Sequence, residues 1–402
     1  MANVYLTPTA VTRKALMVLH QKLNFIGNIN RQYDDSYKGS GTSVVRGKFG
    51  PTLKIRLPNQ YTVRSGLNMA AQEQAESSVD LTVSTVKGVD MYFGSDELTL
   101  SIDDFSDRFI EPAMAVLASN IEADALSMYK DVYNLNDGDT VAFNFAALAN
   151  AKQTLTDNLA PPNMRKTCLN TSHANKFLVD TKGLFQDSSQ IAEQYREGIL
   201  GRTLGFDHYE NTLMLPHQTG TAAKTTGYTT NSATAQVGAS IIVQTGTTTF
   251  LKGDVITIAG VFRVHPETKV STGVLQQFVI TADSGANATT LAISPAIVAT
   301  GAYQNVSNGA ANTQAIVKVG AGASETMTQS LAYHRDAFTF VTADLEQPKG
   351  VDFAAREVMD GISMSLVRDF SVSDRTFPCR LDVLYGYKAI RPQIATRVHN
   401  DG

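Results

Sequence analysis

The chain has 402 residues, room for two or three domains; 43% are hydrophobic and only 18% charged, so it can bury cores and still leave charge-poor surface for other chains. A net charge of −4 argues against a protein that wraps nucleic acid tightly, because neutralising phosphates needs clustered Lys and Arg. The opening MANVYLTPTAVTRKAL lacks a signal-peptide layout, and no apolar run reaches the roughly 18 residues of a membrane span, so neither is expected.

In chain order, Ala15, Leu16, Val18, Leu19 and Leu23 recur at helical spacing and predict a short helix within 8–25, in an N-terminal arm. A Gly/Ser-rich loop, DDSYKGSGTS, follows. Residues 42–66 then alternate: Leu53, Ile55 and Leu57 share one face, Lys54 and Arg56 the other. The alternation resumes over 79–93 with Val79, Leu81, Val83, Val89, Met91 and Phe93. Together these stretches predict a long two-stranded ribbon, which is marginal in water without a surface to lie on.

The ribbon's charges are segregated. Lys38, Arg46, Lys48, Lys54, Arg56 and Arg64 come first with no acid among them; Glu73, Glu76, Asp80, Asp90, Asp96, Glu97, Asp103 and Asp104 follow, with Lys87 alone against them. Two readings stand: the charges pair across the hairpin, or the arm lies on an oppositely charged neighbour. Under the second, Lys54, Arg56, Arg64, Glu73, Glu76 and Asp80 are the candidate inter-subunit contacts.

Residues 103–133 carry the clearest helical pattern. Ser101 can cap it, Asp103, Asp104 and Asp107 suit its N-terminal dipole, and Ile110, Met114, Leu117, Ile121, Leu126 and Met128 share one face. Pro112 begins a second segment or kinks the helix, and the part after it would span about 30 Å. A helix over 143–158 ends before Pro161-Pro162; 165–170 reads as a buried strand, 172–180 as a short helix and 186–203 as a polar helix.

From 218 to 330 the style changes: nine charged residues in all, and Thr, Ala, Gly, Val and Ser dominate. Short β runs recur between turn residues (SIIVQ, DVITIAGV, QQFVIT, TLAIS, AIVKV), predicting a small barrel or sandwich. More charged sequence resumes at SLAYHRDAFTFVTADLE and RLDVLYGYKAI. A β segment of its own composition, flanked by another style, reads as an inserted domain.

Chemistry is sparse. G-x-S-x-G, G-x-x-x-x-G-K-[ST], H-E-x-x-H and C-x-x-C are all missing. VGAGAS (319–324) lacks the Lys-Ser/Thr of a phosphate loop and reads as a flexible turn. His20, His173, His208, His217, His265, His334 and His399 make no i, i+3 or i, i+4 pair with His or Cys, so no metal is expected. Asp207, His208 and Glu210 read as solvated charges on a strand or turn. Cys168 and Cys379 fit two buried thiols of a reducing compartment rather than a disulfide framework. Asn170, Asn287 and Asn305 open N-x-S/T triplets that read as chance matches. Neither an enzyme nor a cofactor is expected.

Three stretches carry a resemblance. AEQYREGILGRTLGFDHYENTLMLP (192–216), SLAYHRDAFTFVTADLE (330–346) and LYGYKAIRPQIATRV (384–398) resemble, in this order, segments of tailed-phage major capsid proteins: a helix leading to a G-F-[DE] turn, an H-[RK]-D-A strand, and a C-terminal strand with an R-P tail. FLKGDVITIAGV is similar to a strand pair in the extra β domain of Salmonella podovirus-type coat proteins. The resemblance implies an α+β Hong Kong 97-type fold. Its parts would be an N-terminal arm (1–37), an extended loop (38–97), a peripheral domain with a spine helix (98–139), and an axial domain (140–217), interrupted by a barrel-like insertion (218–330). Residues 331–402 would complete the axial domain and add the C-terminal strand of the peripheral region.

It also implies a function: a major capsid protein that self-assembles, as pentamers and hexamers, into the icosahedral shell around the double-stranded DNA of a tailed bacteriophage. The implied partners are its own copies, a scaffolding protein, a portal protein and packaged DNA bound without sequence specificity, with no membrane. The implied locations are the virion and, during assembly, the host cytoplasm. The alternative is a β-rich binding module such as an adhesin or tail-fibre component, since charge-poor Thr/Gly/Ala strands occur there too.

Overall fold

The computed structural model describes residues 15, 17, 23–32, 52–64, 66–69, 76–94, 111–181, 201–244, 246–359, 362–372 and 376–401. The chain divides into two compact units, one from Met1–Ile55, Ser78–Leu126 and Phe338–Lys388, the other from Arg56–Ser77, Ser127–Ala337 and Ala389–Gly402.

In the first unit, α1 (Asn24–Gly27) packs on α2 (Glu111–Leu126). Met114, Leu117, Ala118, Ile121, Glu122 and Ala125 recur at steps of three and four and form the buried stripe of α2. Pro112 stands in its first turn, where a missing N–H costs no helical hydrogen bond. Glu122 lies on the buried stripe because its carboxylate accepts the backbone N–H groups of Phe25 and, at 3.3 Å, Ile26, donors that so short a helix cannot satisfy itself. The segment continues to Asn30, which bridges in parallel to Thr339; Phe340 N–H donates to Asn30 O at 3.2 Å.

The main sheet of this unit runs β17 (Phe338–Ala343), β20 (Thr376–Ala389), β19 (Ile362–Arg368), β18 (Phe353–Met359), with β3 (Thr85–Gly94) also paired to β20. Ten residue pairs, from Thr376↔Gly94 to Tyr385↔Thr85, join β3 to β20. Tyr385 OH donates to Asp124 Oδ2 at 2.5 Å, and Lys87 Nζ sits 2.7 Å from the same oxygen. Gly386 is compulsory here, since a Cβ would lie 2.3 Å from Thr82 O.

The second unit holds a mixed sheet ordered β4 (Leu135–Ala142), β21 (Ala395–Asp401), β16 (Gln329–His334), β5 (Arg165–Leu169), β7 (Phe206–Glu210), β6 (Arg202–Thr203). Every side chain of β16 is buried, as expected for a central strand. Helices α3 (Phe145–Asp157) and α4 (Thr171–Thr181) accompany it. Asn144 caps α3 by accepting Ala147 N–H at 2.9 Å, and α3 stops before Pro161 and Pro162.

From this sheet the chain leaves through β8 (His217–Gln218) and returns through β15 (Thr326–Met327), which pair antiparallel as Met327↔His217 and Thr326↔Gln218. Between them lies a six-stranded sheet ordered β10 (Gly238–Ile242), β13 (Thr290–Ile297), β12 (Ser271–Ile280), β11 (Val255–Val264), β14 (Ala315–Val319), β9 (Thr225–Thr229). Its two edge strands meet just beyond their ends through the bridge Thr230↔Val243, with Gln244 N–H donating to Thr229 O at 2.8 Å, so the sheet closes on itself. Tyr228, Ile241, Phe250, Ile256, Ile258, Val261, Phe278 and Ile293 fill its interior. Val255 and Val279 instead join Tyr133, Leu135, Ala321 and Met327 in a smaller cluster.

Several expectations shift. The helix expected over 103–133 is helical as α2 only to Leu126, then tightens to a 3-10 helix, Ser127–Asp131; 101–110 lie outside the described residues. Among the described residues the ribbon's strands pair over 52–56 and 78–82, and β3 pairs with β20; 42–51 lie outside the described residues. The expected helices over 8–25 and 186–203 lie mostly outside the described residues, although Arg202–Thr203 is strand. The two units are divided after Ile55, Ser77, Leu126, Ala337 and Lys388, which groups 338–388 with α2 and 389–402 with the sheet of β16.

Candidate functional site

The candidate inter-subunit contacts predicted from the sequence lie on the ribbon. Its two strands are β1 (Thr52–Arg56) and β2 (Ser78–Thr82), a sheet of their own. Ile55 and Leu81 are buried, while Lys54, Arg56, Ser78 and Asp80 are exposed, as period-two alternation requires. Leu57 N–H donates to Ser77 O at 2.9 Å and carries the pairing past the strand ends.

Arg56 Nη1 lies 3.1 Å from Glu76 Oε2, with both side chains more than half exposed. The cation proposed for a neighbour is thus matched within its own ribbon, because the β1–β2 pairing sets the two residues against each other. Arg64 is also occupied internally: its Nη1 donates to Asn68 O at 2.7 Å and to Gly66 O, closing a turn in which Gly66 has φ +100°. Lys54 and Asp80 face solvent, and Glu73 lies outside the described residues.

The excursion between the strands carries apolar side chains that sequence reasoning did not single out. Tyr61, Val63, Leu67 and Met69 are 57%, 96%, 99% and 87% exposed. Lone exposed apolar residues are ordinary, but four within nine positions make this segment unusually apolar for its exposure. A signal existed: YTV stands between Gln60 and Arg64, and LNM follows Ser65-Gly66, in a segment with no helical period.

Two histidines of the second unit are held by hydrogen bonds within the fold. His208 is bracketed by Thr167 Oγ1 at 2.6 Å and Thr203 Oγ1 at 2.7 Å, and burial pushes its pKa down to about 4. It is therefore a neutral strand residue, not one of three solvated charges; Asp207 pairs with Arg202 at 3.5 Å and Glu210 is exposed. His173 stacks on Phe143 at 4.7 Å, hydrogen-bonds Ser330 Oγ and Asn400 O, and is pushed down to about 4 by burial. Cys168 and Cys379 are buried free thiols, and burial raises the Cys379 pKa to about 11. Among the described residues no cluster of three His, Cys, Asp or Glu could hold a metal ion, and no helix is long and apolar enough to cross a membrane.

The sequence model of the family described as P22 coat protein, gene protein 5, matches residues 54–397. The chain belongs to the P22 coat protein family. It is a major capsid protein with the expected α+β Hong Kong 97-type fold, a component of the virion whose copies build an icosahedral shell. No curated protein matches the chain. Among solved structures it is similar to that of Mycobacterium phage Che8, at 13% identity over 99% of this chain and 93% of the other, TM-score 0.47. It is also similar to the capsid of cyanophage P-SCSP1u, at 10% over 95% and 98%, TM-score 0.43, and to the virus-like particle from Pyrococcus furiosus, at 7% over 96% and 97%, TM-score 0.38.

Proposed function

We propose that the ribbon of this coat protein is a docking arm, and that its tip is seated on a neighbouring copy when the shell forms. The observation that carries this reading is the exposed set Tyr61, Val63, Leu67 and Met69. Burying each such side chain stabilises by about 1.5–3 kcal/mol, and a subunit surrounded by copies of itself has surfaces on which to do so. Apolar contact at the tip replaces Arg56 as the main source of affinity, with Lys54 and Asp80 free to set register against a neighbour's charges.

The remaining assignments follow the family resemblance. Residues 218–330 form an inserted domain, a reading supported by the adjacent entry and exit strands β8 and β15 and by the closed sheet between them. The other parts are the arm (1–37), extended loop (38–97), peripheral domain (98–139) and axial domain (140–217), with 331–402 completing the axial domain and adding the C-terminal strand of the peripheral region. A scaffolding protein and a portal protein take part in assembly in the host cytoplasm, and the shell then holds double-stranded DNA. A net charge of −4 suits a lumen that confines the genome without gripping it.

The test is the double variant Leu67→Lys, Met69→Lys. Both positions are almost fully exposed, so the subunit should fold normally, by circular dichroism and thermal melting, while shell yield by electron microscopy and sedimentation falls at least about tenfold, the loss expected for ~1.4 kcal/mol per subunit contact. Normal shells from this variant overturn the docking role.

A further inference from the structure

The barrel of β9–β14 is fastened to the sheet of β16 and β21 by charged and polar groups that the sequence scatters over nearly the whole second unit. His217 and Asp254 are each only 2% exposed, and His217 Nε2 lies 3.0 Å from Asp254 Oδ1. A carboxylate only accepts, so Nε2 carries the proton; Nδ1 faces Tyr129 OH at 3.4 Å and accepts from it. Asp254 Oδ2 accepts two backbone donors, Gly220 N–H at 3.0 Å and Leu251 N–H at 2.9 Å. One carboxylate therefore ties the stem after β8, the turn before β11 and the histidine together.

The charge around this pair is lopsided. Arg397 on β21 is fully buried, donates from Nη2 to Gly253 O at 2.8 Å and lies over the Tyr129 ring, while its Nε and Nη1 find no hydrogen-bond partner among the described residues. Lys318 on β14 is 2% exposed and donates to Gly322 O at 2.7 Å. Around them, Lys252 pairs with Asp131 at 3.5 Å and Lys224 with Asp137 at 3.6 Å; Lys130 and Glu325 flank the group, and His399 bonds Thr328 O. Among the described residues of the buried centre, Asp254 is the one anion facing two cations, Arg397 and Lys318. A proton added to His217 makes a third cation there; a proton added to Asp254 removes the anion.

We propose that His217 and Asp254 form an acid-labile latch between the barrel and the sheet, closed near neutral pH and released as pH falls. The direction is fixed by both partners. Burial pushes the His217 pKa below its ordinary value, despite the Asp254 hydrogen bond, so the closed state disfavours the protonated ring. Burial alone would raise Asp254, but hydrogen bonds from His217, Leu251 and Gly220 outweigh it and hold the carboxyl below its usual value. Both shifts give stability that is present above the ordinary pKa and lost on acidification, His217 first, starting below about pH 6.5.

The experiment is hydrogen exchange of the full-length chain at pH 7 and pH 5, each amide normalised to its intrinsic rate. The reporters are the Gly220 and Leu251 amides, both bonded to Asp254. One proton taken up on opening raises the opening constant by up to about tenfold per pH unit within the window. In the wild type these amides should lose about tenfold protection at pH 5 while amides of β12 and β16 keep theirs. His217→Gln retains a donor toward Asp254 and cannot be protonated, so its reporters should be indifferent to pH. Unchanged wild-type protection, equal loss in the variant, or simultaneous loss in β12 and β16 each overturns the latch. Should His217→Gln fail to fold, the wild-type His217 ring signal by NMR decides: it must titrate together with the reporters, and reporters that open around a neutral ring refute the mechanism.

Discussion

Replacing Glu122 by Ala isolates what holds the N-terminal segment to α2. In the structure its carboxylate takes the Phe25 and Ile26 amides, and all three residues are almost or wholly out of solvent. Each amide left buried without an acceptor costs about 1–3 kcal/mol, so Glu122→Ala, which orphans two, should destabilise the first unit by roughly 2–6 kcal/mol. Glu122→Gln keeps one acceptor oxygen and should lose about half as much. Urea unfolding of the full-length chain gives the totals, and exchange at the Phe25 and Ile26 amides shows whether the loss is local. If Glu122→Ala stays within about 0.5 kcal/mol of wild type with those amides still protected, the anchoring argument is wrong.

Two further outcomes follow from the geometry. Arg56→Glu should cost at most about 1 kcal/mol of subunit stability, because the Arg56–Glu76 pair is exposed, and adding Glu76→Arg should restore it; if the swap leaves shell yield low, the charges act on a neighbour rather than on each other. Gly386→Ala drives a methyl to 2.3 Å from backbone oxygen Thr82 O, where no flexible side chain can yield, so the variant should accumulate as insoluble protein at 37 °C, measured by fractionation, while a substitution at Gly285, with open space around it, should not.

Much of this architecture is legible in the residues because it rests on local periodicity. Val255, Ile256, Ile258, Val261 and Val264 predict β11, and all five are buried in it. The face of α2 reads directly from Met114, Leu117 and Ile121. What escapes is whatever depends on distant partners. Nothing in SMYKD stops a helix, yet Tyr129 is drawn to His217 and Arg397, and the helix tightens there. Val89 and Met91 alternate as well as any ribbon residue, and nothing in their sequence announces that they pair with Leu381 and Cys379. His217 and Asp254 stand 37 positions apart, a spacing that no motif template contains. Among the ribbon charges, sequence left two readings open, and the register of β1 on β2 favours the internal one for Arg56.

The side-by-side placement of β8 and β15 has a corollary. Antiparallel neighbours have Cα atoms about 5 Å apart, so a turn of a few residues could join Gln218 directly to Thr326 and dispense with everything from 219 to 325. The covalent connection is thus a single junction, while the cost of losing the barrel lies in what it covers: Tyr133, Leu135 and Met327 would be bared, and Arg397 would lose its Gly253 acceptor.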